Sequence, residues 1–335
     1  MKRWVLTAVS FAAVIGVSVY AVTSGAPHGV NLRISLLAHV LAFTAFAVEV
    51  AARSLKLTLS AKAVRTDLPF TTAVRTSLGG DFGAAITPAR MGAEPARFLI
   101  LAEAGKSAAD AMVILYCELF FEMLSLVIVV TGVAVLFPST GSALLAMVGI
   151  VGGYAAFVLG LGTIAVMLAR RTIGMEPPGW AHRVRLHGKR WELVQRWFGR
   201  VRTTVDAFRQ MRLGWATLSL LASVVHIAVR LTVLPAIVYT MTDVFVPTAP
   251  LVDWPRGIIF GAAVVPAPGG GGAVELAFRA ALHDVIPPDA FAASLVWWRF
   301  YTFYIYIAFG ALVAGNTALR AVREAEEMEE ELERA

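Results

Sequence analysis

An all-α polytopic membrane protein is the fold class this sequence predicts, with six full spans and two re-entrant helical segments of opposite orientation. Three observations carry that expectation. Of 335 residues, 58% are hydrophobic and 16% charged, and the mean hydropathy is +0.71. Soluble domains carry roughly 25% charged and 45–50% apolar residues. The apolar residues gather into runs of about 20, the length a helix needs to cross a hydrocarbon layer of ~30 Å. The basic residues fall in blocks between those runs rather than evenly. This composition excludes an ordinary soluble enzyme and a disordered chain.

The first run, Trp4–Val22, follows Lys2 and Arg3. Its 19 residues exceed the apolar core of about 7–15 residues in a signal peptide, so an uncleaved helix is expected. A second span, Leu32–Ala52, is followed by Arg53, Lys56, Lys62 and Arg65. The positive-inside rule puts both basic stretches in the cytoplasm, making these two helices a hairpin. Phe70–Ala104 offers no continuous apolar stretch: Gly79, Gly80, Gly83, Pro88, Gly92 and Pro95 interrupt it, with Asp81, Arg90, Glu94 and Arg97. Ser107–Leu136 is long enough to cross with a tilt, and a turn at Pro138–Ser142 leads into Leu144–Ala169.

A basic loop follows. Eleven of the 29 Lys and Arg residues lie between Arg170 and Arg212, opposed by Glu176, Glu192 and Asp206, for a net +8. Beside membrane helices such a loop reports topology and contact with anionic headgroups. No recognition motif accompanies it, so no nucleic-acid partner is expected. Gly214–Thr242 and Phe291–Ala318 are the last spans. Between them Leu251–Pro288 is broken by Pro255, Pro266, Pro268 and the run Gly269–Gly272. The tail, Arg320–Ala335, has 3 basic and 7 acidic residues and reads as a solvated helix end.

Six crossings keep the N-terminus, the Arg53–Arg65 stretch, the basic loop and the tail in the cytoplasm only if each broken segment enters and leaves on one side. The first then dips in from the cytoplasm and the second from outside. The expected organisation is one transmembrane domain, 1–319, with re-entrant segments at about 68–105 and 251–288, a cytoplasmic basic loop at 170–213 and an acidic cytoplasmic tail at 320–335. Irregular backbone at membrane depth is tolerated only where protein or a hydrated cavity satisfies it. Broken segments in corresponding places of two halves, here about 30–137 and 214–318, point to an inverted repeat and a transporter's binding site.

The candidate site residues follow from this. In the first segment Pro88 pushes Thr87 out of helical geometry and Gly92 permits a turn, beside Arg90, Glu94 and Arg97. In the second, Gly269, Gly270, Gly271 and Gly272 form a loop before a helix beginning near Ala273, with Glu275 and Arg279 beyond. That helix start should favour an anion. Glu94/Arg97 and Glu275/Arg279 also fit ordinary intrahelical pairs. Glu118, Glu122 and Ser125 share a helix face, as do His226 and Arg230, and Arg299 lies a third to halfway along the last span. Unpaired charges at a helix centre cost at least ~2.5 kcal/mol each, so these groups should face one another or a hydrated cavity. That cavity would either handle a charged headgroup or hold the bundle together.

Other chemistries lack their motifs. Gly105-Lys106-Ser107 lacks the earlier glycine of a P-loop, Ile100 standing there, and neither His-Glu-x-x-His nor Gly-x-Ser-x-Gly occurs. No Cys/His cluster suits zinc, and the lone Cys117 says nothing of redox compartment. No cofactor and no metal are expected.

Three patches resemble the flippase-like transmembrane family typified by the membrane half of lysylphosphatidylglycerol synthase, the multiple peptide resistance factor. They are Leu78-Gly79-Gly80-Asp81-Phe82 running on to Thr87-Pro88-Ala89-Arg90-Met91-Gly92-Ala93-Glu94; Glu118-Leu119-Phe120-Phe121-Glu122; and Pro266-Ala267-Pro268-Gly269-Gly270-Gly271-Gly272 with Glu275, followed by Trp298-Arg299. Leu119 and Glu122 depart from the family's usual Arg and Asp, which leaves the partner of Glu118 open. The resemblance implies a lipid flippase in the bacterial cytoplasmic (inner) membrane, with a phospholipid, polyprenyl or hopanoid-type lipid as partner. The synthase's aminoacyl-transferase half is a separate domain without counterpart here, so lysyl-lipid synthesis is not expected. The alternatives are an intramembrane lipid-modifying transferase, with paired glutamates as base, and a non-transporting partner of a lipid enzyme. A homodimer is left open.

Overall fold

The computed structural model describes residues 15–24, 30–87, 90–136, 142–170, 188–261 and 270–334, and among them every regular element is helical. Residues 15–23 form α1; the rest of the expected first span lies outside the described residues. The helices that follow are α2 (Leu36–Ala63), α3 (Phe70–Ile86), α4 (Ala93–Glu103), α5 (Ala108–Leu136), α6 (Ser142–Arg170) and α7 (Lys189–Arg209). Next come α8 (Leu213–Leu231), α9 (Val233–Tyr239), α10 (Thr248–Gly261), α11 (Ala273–Leu282), α12 (Pro288–Arg299) and α13 (Ile305–Arg334). A π-helical turn, Phe300–Tyr304, joins the last two.

Among the described residues, five stretches are long and apolar enough to cross a membrane: Leu36–Ala63, Ala108–Leu136, Val151–Arg170, Leu213–Tyr239 and Pro288–Thr317. Each matches an expected span, with one boundary corrected. The second span does not stop at Ala52. Ser35 caps α2 through its Oγ, which accepts from Ala38 N at 3.0 Å, and the helix then runs through Arg53 and Lys56 to Ala63. It ends where Arg65 takes φ 62° and Thr66 N–H returns to Ala61 O at 2.9 Å. Charge did not end the helix because Arg53 and Lys56 are neutralised inside the bundle.

Proline acts unequally elsewhere. Pro235 has no N–H for the Leu231 carbonyl, and the helix steps from α8 to α9 at Thr232. Pro255, expected to break its segment, instead lies within α10.

Packing against α2 organises the rest. Its closest neighbour is α8, joined through small residues and hydroxyls: Ser60 Oγ meets Ser219 Oγ at 2.8 Å, and Ser219 donates to Lys56 O at 3.0 Å. Without water to drive association, small residues and interhelical hydrogen bonds hold membrane helices together. α3 also packs closely on α13, since a Cβ on Gly310 would strike Leu78 O and one on Gly79 would come within 2.7 Å of Ala314 Cβ. One core gathers Phe46, Leu234, Phe278, Phe291 and Trp298, and a second gathers Leu57, Leu101, Ile114 and Phe121.

The element ends fall into two groups. Arg212 N donates to Ala63 O at 2.8 Å, tying the end of α2 to the start of α8. Arg75, near the start of α3, and Glu103, closing α4, both reach Thr317 of α13, at 3.5 and 2.9 Å. The two ends of the α3–α4 pair therefore lie together. At the other end, a cavity of about 540 Å³ is bordered by Asn31, Arg33, Thr240, Asp243, Pro287 and Asp289. Tyr239 Oη also meets Thr248 Oγ1 at 2.5 Å, so α10 starts where α9 ends.

Candidate functional site

Along α2, Glu49, Arg53, Lys56 and Ser60 recur at helical spacing and so share one face. Arg53 reaches Asp81 of α3 at 2.5 and 3.1 Å and Glu49 at 3.6 Å. Lys56, fully buried, holds two carboxylates of α5, Glu118 at 3.2 Å and Glu122 at 3.1 Å. Glu118 is also paired with Arg97 of α4, which in turn holds Glu94 at 3.0 Å. The open partner of Glu118 is thus Lys56 together with Arg97.

From α8, Arg230 lies 3.9 Å from Glu49 and donates to Thr302 O at 2.8 Å, inside the π turn. Arg53 and Arg230 both lie over the Tyr306 ring, at 5.4 and 5.3 Å. His226 is buried with Lys56 and Glu122 among its electrostatic neighbours, and its Nδ1 has no hydrogen-bond partner among the described residues. Ser125 meets Ser223 at 2.7 Å and donates to Glu122 O at 2.8 Å.

The second broken segment makes its own pair. Gly270 and Gly272 take φ 69° and 79°, a region that favours glycine. Glu275 accepts from Gly272 N at 2.7 Å and from Arg299 Nε at 2.8 Å. One amide at this helix start, that of Gly272, is therefore taken by Glu275 itself. Arg299 stacks on Phe303 at 4.3 Å. Arg279 does not pair with Glu275; it lies over Tyr20 of α1 at 5.4 Å and has no ion-pair partner among the described residues. Gly269, with Pro266–Pro268, lies outside the described residues.

These groups do not sit at one level along the helices. Tyr301, two residues past Arg299, meets His39 near the start of α2 at 2.9 Å, whereas Tyr306 sits against Arg53. What forms instead is a ladder: Glu275–Arg299, then Arg230 at Thr302 one turn on, then Glu49–Arg53–Asp81, then Lys56 with Glu118, Glu122 and Arg97. At 1.5 Å per residue its length along α12–α13 and α2 is about 15 Å, about half of a hydrocarbon layer.

Arg90 stands beside this ladder at the break between α3 and α4. The break is tightly built: Thr87 Oγ1 donates to Gly83 O and accepts from Gly92 N, both at 2.8 Å. A Cβ on Gly83 would lie 2.5 Å from Gly92 O, so glycine is required for that approach. Arg90 has φ 61° and is half-buried.

Sequence reasoning missed Glu49, Arg53, Lys56 and Tyr306. Their signal was present, because Glu49, Arg53 and Lys56 continue one helix face among Leu55, Leu57 and Leu59; the positive-inside rule counted the two cations as loop residues instead. Among the described residues, no group of three or more His, Cys, Asp or Glu side chains could hold a metal ion.

Compared with known families, residues 4–310 match the model described as the lysylphosphatidylglycerol synthase TM region. No curated protein matches the chain. The match spans most of the sequence, and the chain belongs to the lysylphosphatidylglycerol synthase transmembrane-region family.

Proposed function

We propose that this member of the family is a lipid translocase, which passes a charged headgroup along the interior ladder while the acyl tails stay in the bilayer. The observation that carries this reading is the ladder itself. Charges at helix centres are costly, rare and found facing bundle interiors or hydrated paths. Here they come from α2, α3, α4, α5, α8, α11 and α12 and follow one line.

The two broken segments are read as re-entrant hairpins from opposite faces. In support, α3 and α4 have their outer ends together near Thr317, and α10 and α11 have theirs near the Tyr239–Thr248 and Pro287 end. An inverted repeat accounts for the matching order of long helix, short pair and long helix in α2–α5 and α8–α13. It also accounts for a shared ion pair of exchanged sign: Arg97 on the second hairpin helix meets Glu118 on the following long helix, and Glu275 meets Arg299. The site assigned to the headgroup is Arg90, Arg97, Glu118, Glu122 and His226 toward one end of the ladder, the Gly270–Gly272 loop, Glu275, Arg279 and Arg299 toward the other, and Arg230 between them. Both termini and α7 belong to the cytoplasmic side of a bacterial inner membrane in this reading. On α7, Leu193 and Trp197 are exposed beside Arg196 and Arg200, a pattern suited to anionic headgroups.

Reconstituted protein tests the proposal. In proteoliposomes with fluorescent lipid in one leaflet, translocation should exceed that of empty vesicles by at least tenfold. The lipid recovered should keep its mass. Absence of movement for phospholipid, glycolipid and polyprenyl lipid alike overturns the reading, and a changed lipid mass replaces it with a transferase.

A further inference from the structure

We infer that the headgroup is taken by its phosphate and that Arg90 is the residue that takes it. The inference deepens the translocase reading and rests on it for its transport arm. It starts from charge matching around the first hairpin. The carboxylates there, Glu49, Asp81, Glu118 and Glu122, are each held by a cation: Arg53 and Arg230, Arg53, Lys56 and Arg97, and Lys56. Four cations serve those four carboxylates, and Arg90 is a fifth. It makes no ion pair or hydrogen bond among the described residues, although Asp81, Arg230, Arg53 and Glu122 are its electrostatic neighbours.

A half-buried cation with no counterion among the described residues, beside carboxylates that are each held by another cation, calls for an anion from outside. The planar guanidinium fits a phosphate by two parallel hydrogen bonds, and a compact ammonium does not. The backbone points the same way. A residue with a Cβ at φ 61° is disfavoured relative to glycine, and such strain clusters where a side chain's function holds it in place. The Thr87–Gly92 and Gly83–Gly92 contacts hold Gly92, two residues beyond Arg90, against the end of α3. Arg97 and Lys56 have no such freedom, because each is already engaged with two carboxylates.

Two measurements test the inference. In the first, detergent-solubilised full-length protein is titrated with dioctanoyl phosphatidylglycerol, a short-chain phosphate-free glucosyl diacylglycerol, or inorganic phosphate, and thermal unfolding is followed. Phosphatidylglycerol should raise the midpoint and the glycolipid should not. Arg90→Gln should abolish the rise, Arg90→Lys should keep a fraction of it, and Arg90→Gly should abolish it while leaving the unliganded midpoint equal or higher. An equal rise from the glycolipid, or an undiminished one in Arg90→Gln, overturns the inference. Inorganic phosphate alone giving the full rise assigns the site to a free anion and overturns it too.

The second measurement is translocation. Phosphatidylglycerol should move at least tenfold faster than glucosyl diacylglycerol or a phosphate-free trimethylammonium lipid, and Arg90→Gln should remove that advantage. Equal rates for all three overturn the inference while the translocase reading stands. Arg90-dependent binding without any transport refutes the translocase reading alone and leaves an anionic-lipid site.

Discussion

Lys56 carries a heavy electrostatic duty for a single side chain, since it is fully buried and faces both Glu118 and Glu122. Removing one partner of a buried ion pair costs about 3–5 kcal/mol, because the remaining charge is left uncompensated. Lys56→Met should therefore lower the thermal unfolding midpoint and the yield of folded protein sharply. Glu122→Gln added to it should restore part of that loss, and Glu118→Gln less, because Arg97 still serves Glu118. A double-mutant cycle on unfolding midpoints checks the coupling; additive effects would show that Lys56 and Glu122 do not interact. This network was only half legible in the sequence. Glu118, Glu122, His226 and Arg230 stand out as polar residues within apolar runs. Arg53 and Lys56 sit where a span is expected to end, and a basic residue there looks like a loop residue until its acidic partners, 28 and 66 residues away, are known.

Helices α3 and α4 can pair closely because their facing residues lack side chains where the backbones approach. Glycine inside a helix usually costs about 1 kcal/mol relative to alanine, so an ordinary Gly→Ala change there stabilises. Gly132 on α5 is such a position, with nothing within 4 Å of an added Cβ. Gly83 is the opposite case, its Cβ meeting the Gly92 carbonyl at 2.5 Å, a backbone atom that cannot swing aside. Gly83→Ala is expected to destabilise by about 1–3 kcal/mol, the cost of overpacking, and Gly132→Ala to be neutral or stabilising. Thermal unfolding of the two variants side by side checks the sign of each, and an equally stable Gly83→Ala would show that the hairpin does not pack as described. At this scale the breaks were readable, since Pro88, Gly92 and the Gly269–Gly272 run mark them and α11 begins at Ala273 as expected. What periodicity could not supply was α10 running through Pro255, because a single lost backbone bond is tolerated when neighbouring helices hold the chain.

The whole molecule joins two groups of element ends by long helices, and its topology can be tested without reference to lipid. Five expected spans are present as helices of crossing length, because runs of apolar residues of that length have few other solutions. The side assignment is less direct than the charges alone implied. Arg53 and Lys56 are interior, which leaves Lys62 in the last turn of α2 and Arg65 just beyond it, and Lys62 lies over the Trp215 ring at 4.9 Å near the start of α8. The basic residues of α7 therefore carry most of the positive-inside argument. Cys117, the one cysteine of the chain, is fully buried, and Cys117→Ser gives a background for labelling with membrane-impermeant maleimide. Asp67→Cys and Ala104→Cys bracket the α3–α4 pair, while Val244→Cys and Asp284→Cys bracket α10–α11; all four positions are exposed. Right-side-out vesicles should label Val244→Cys and Asp284→Cys, and inverted vesicles Asp67→Cys and Ala104→Cys. Members of either pair appearing on opposite faces would mean that their segment crosses outright, so that the ionised ladder no longer joins two hairpins and the proposed headgroup path loses its two ends.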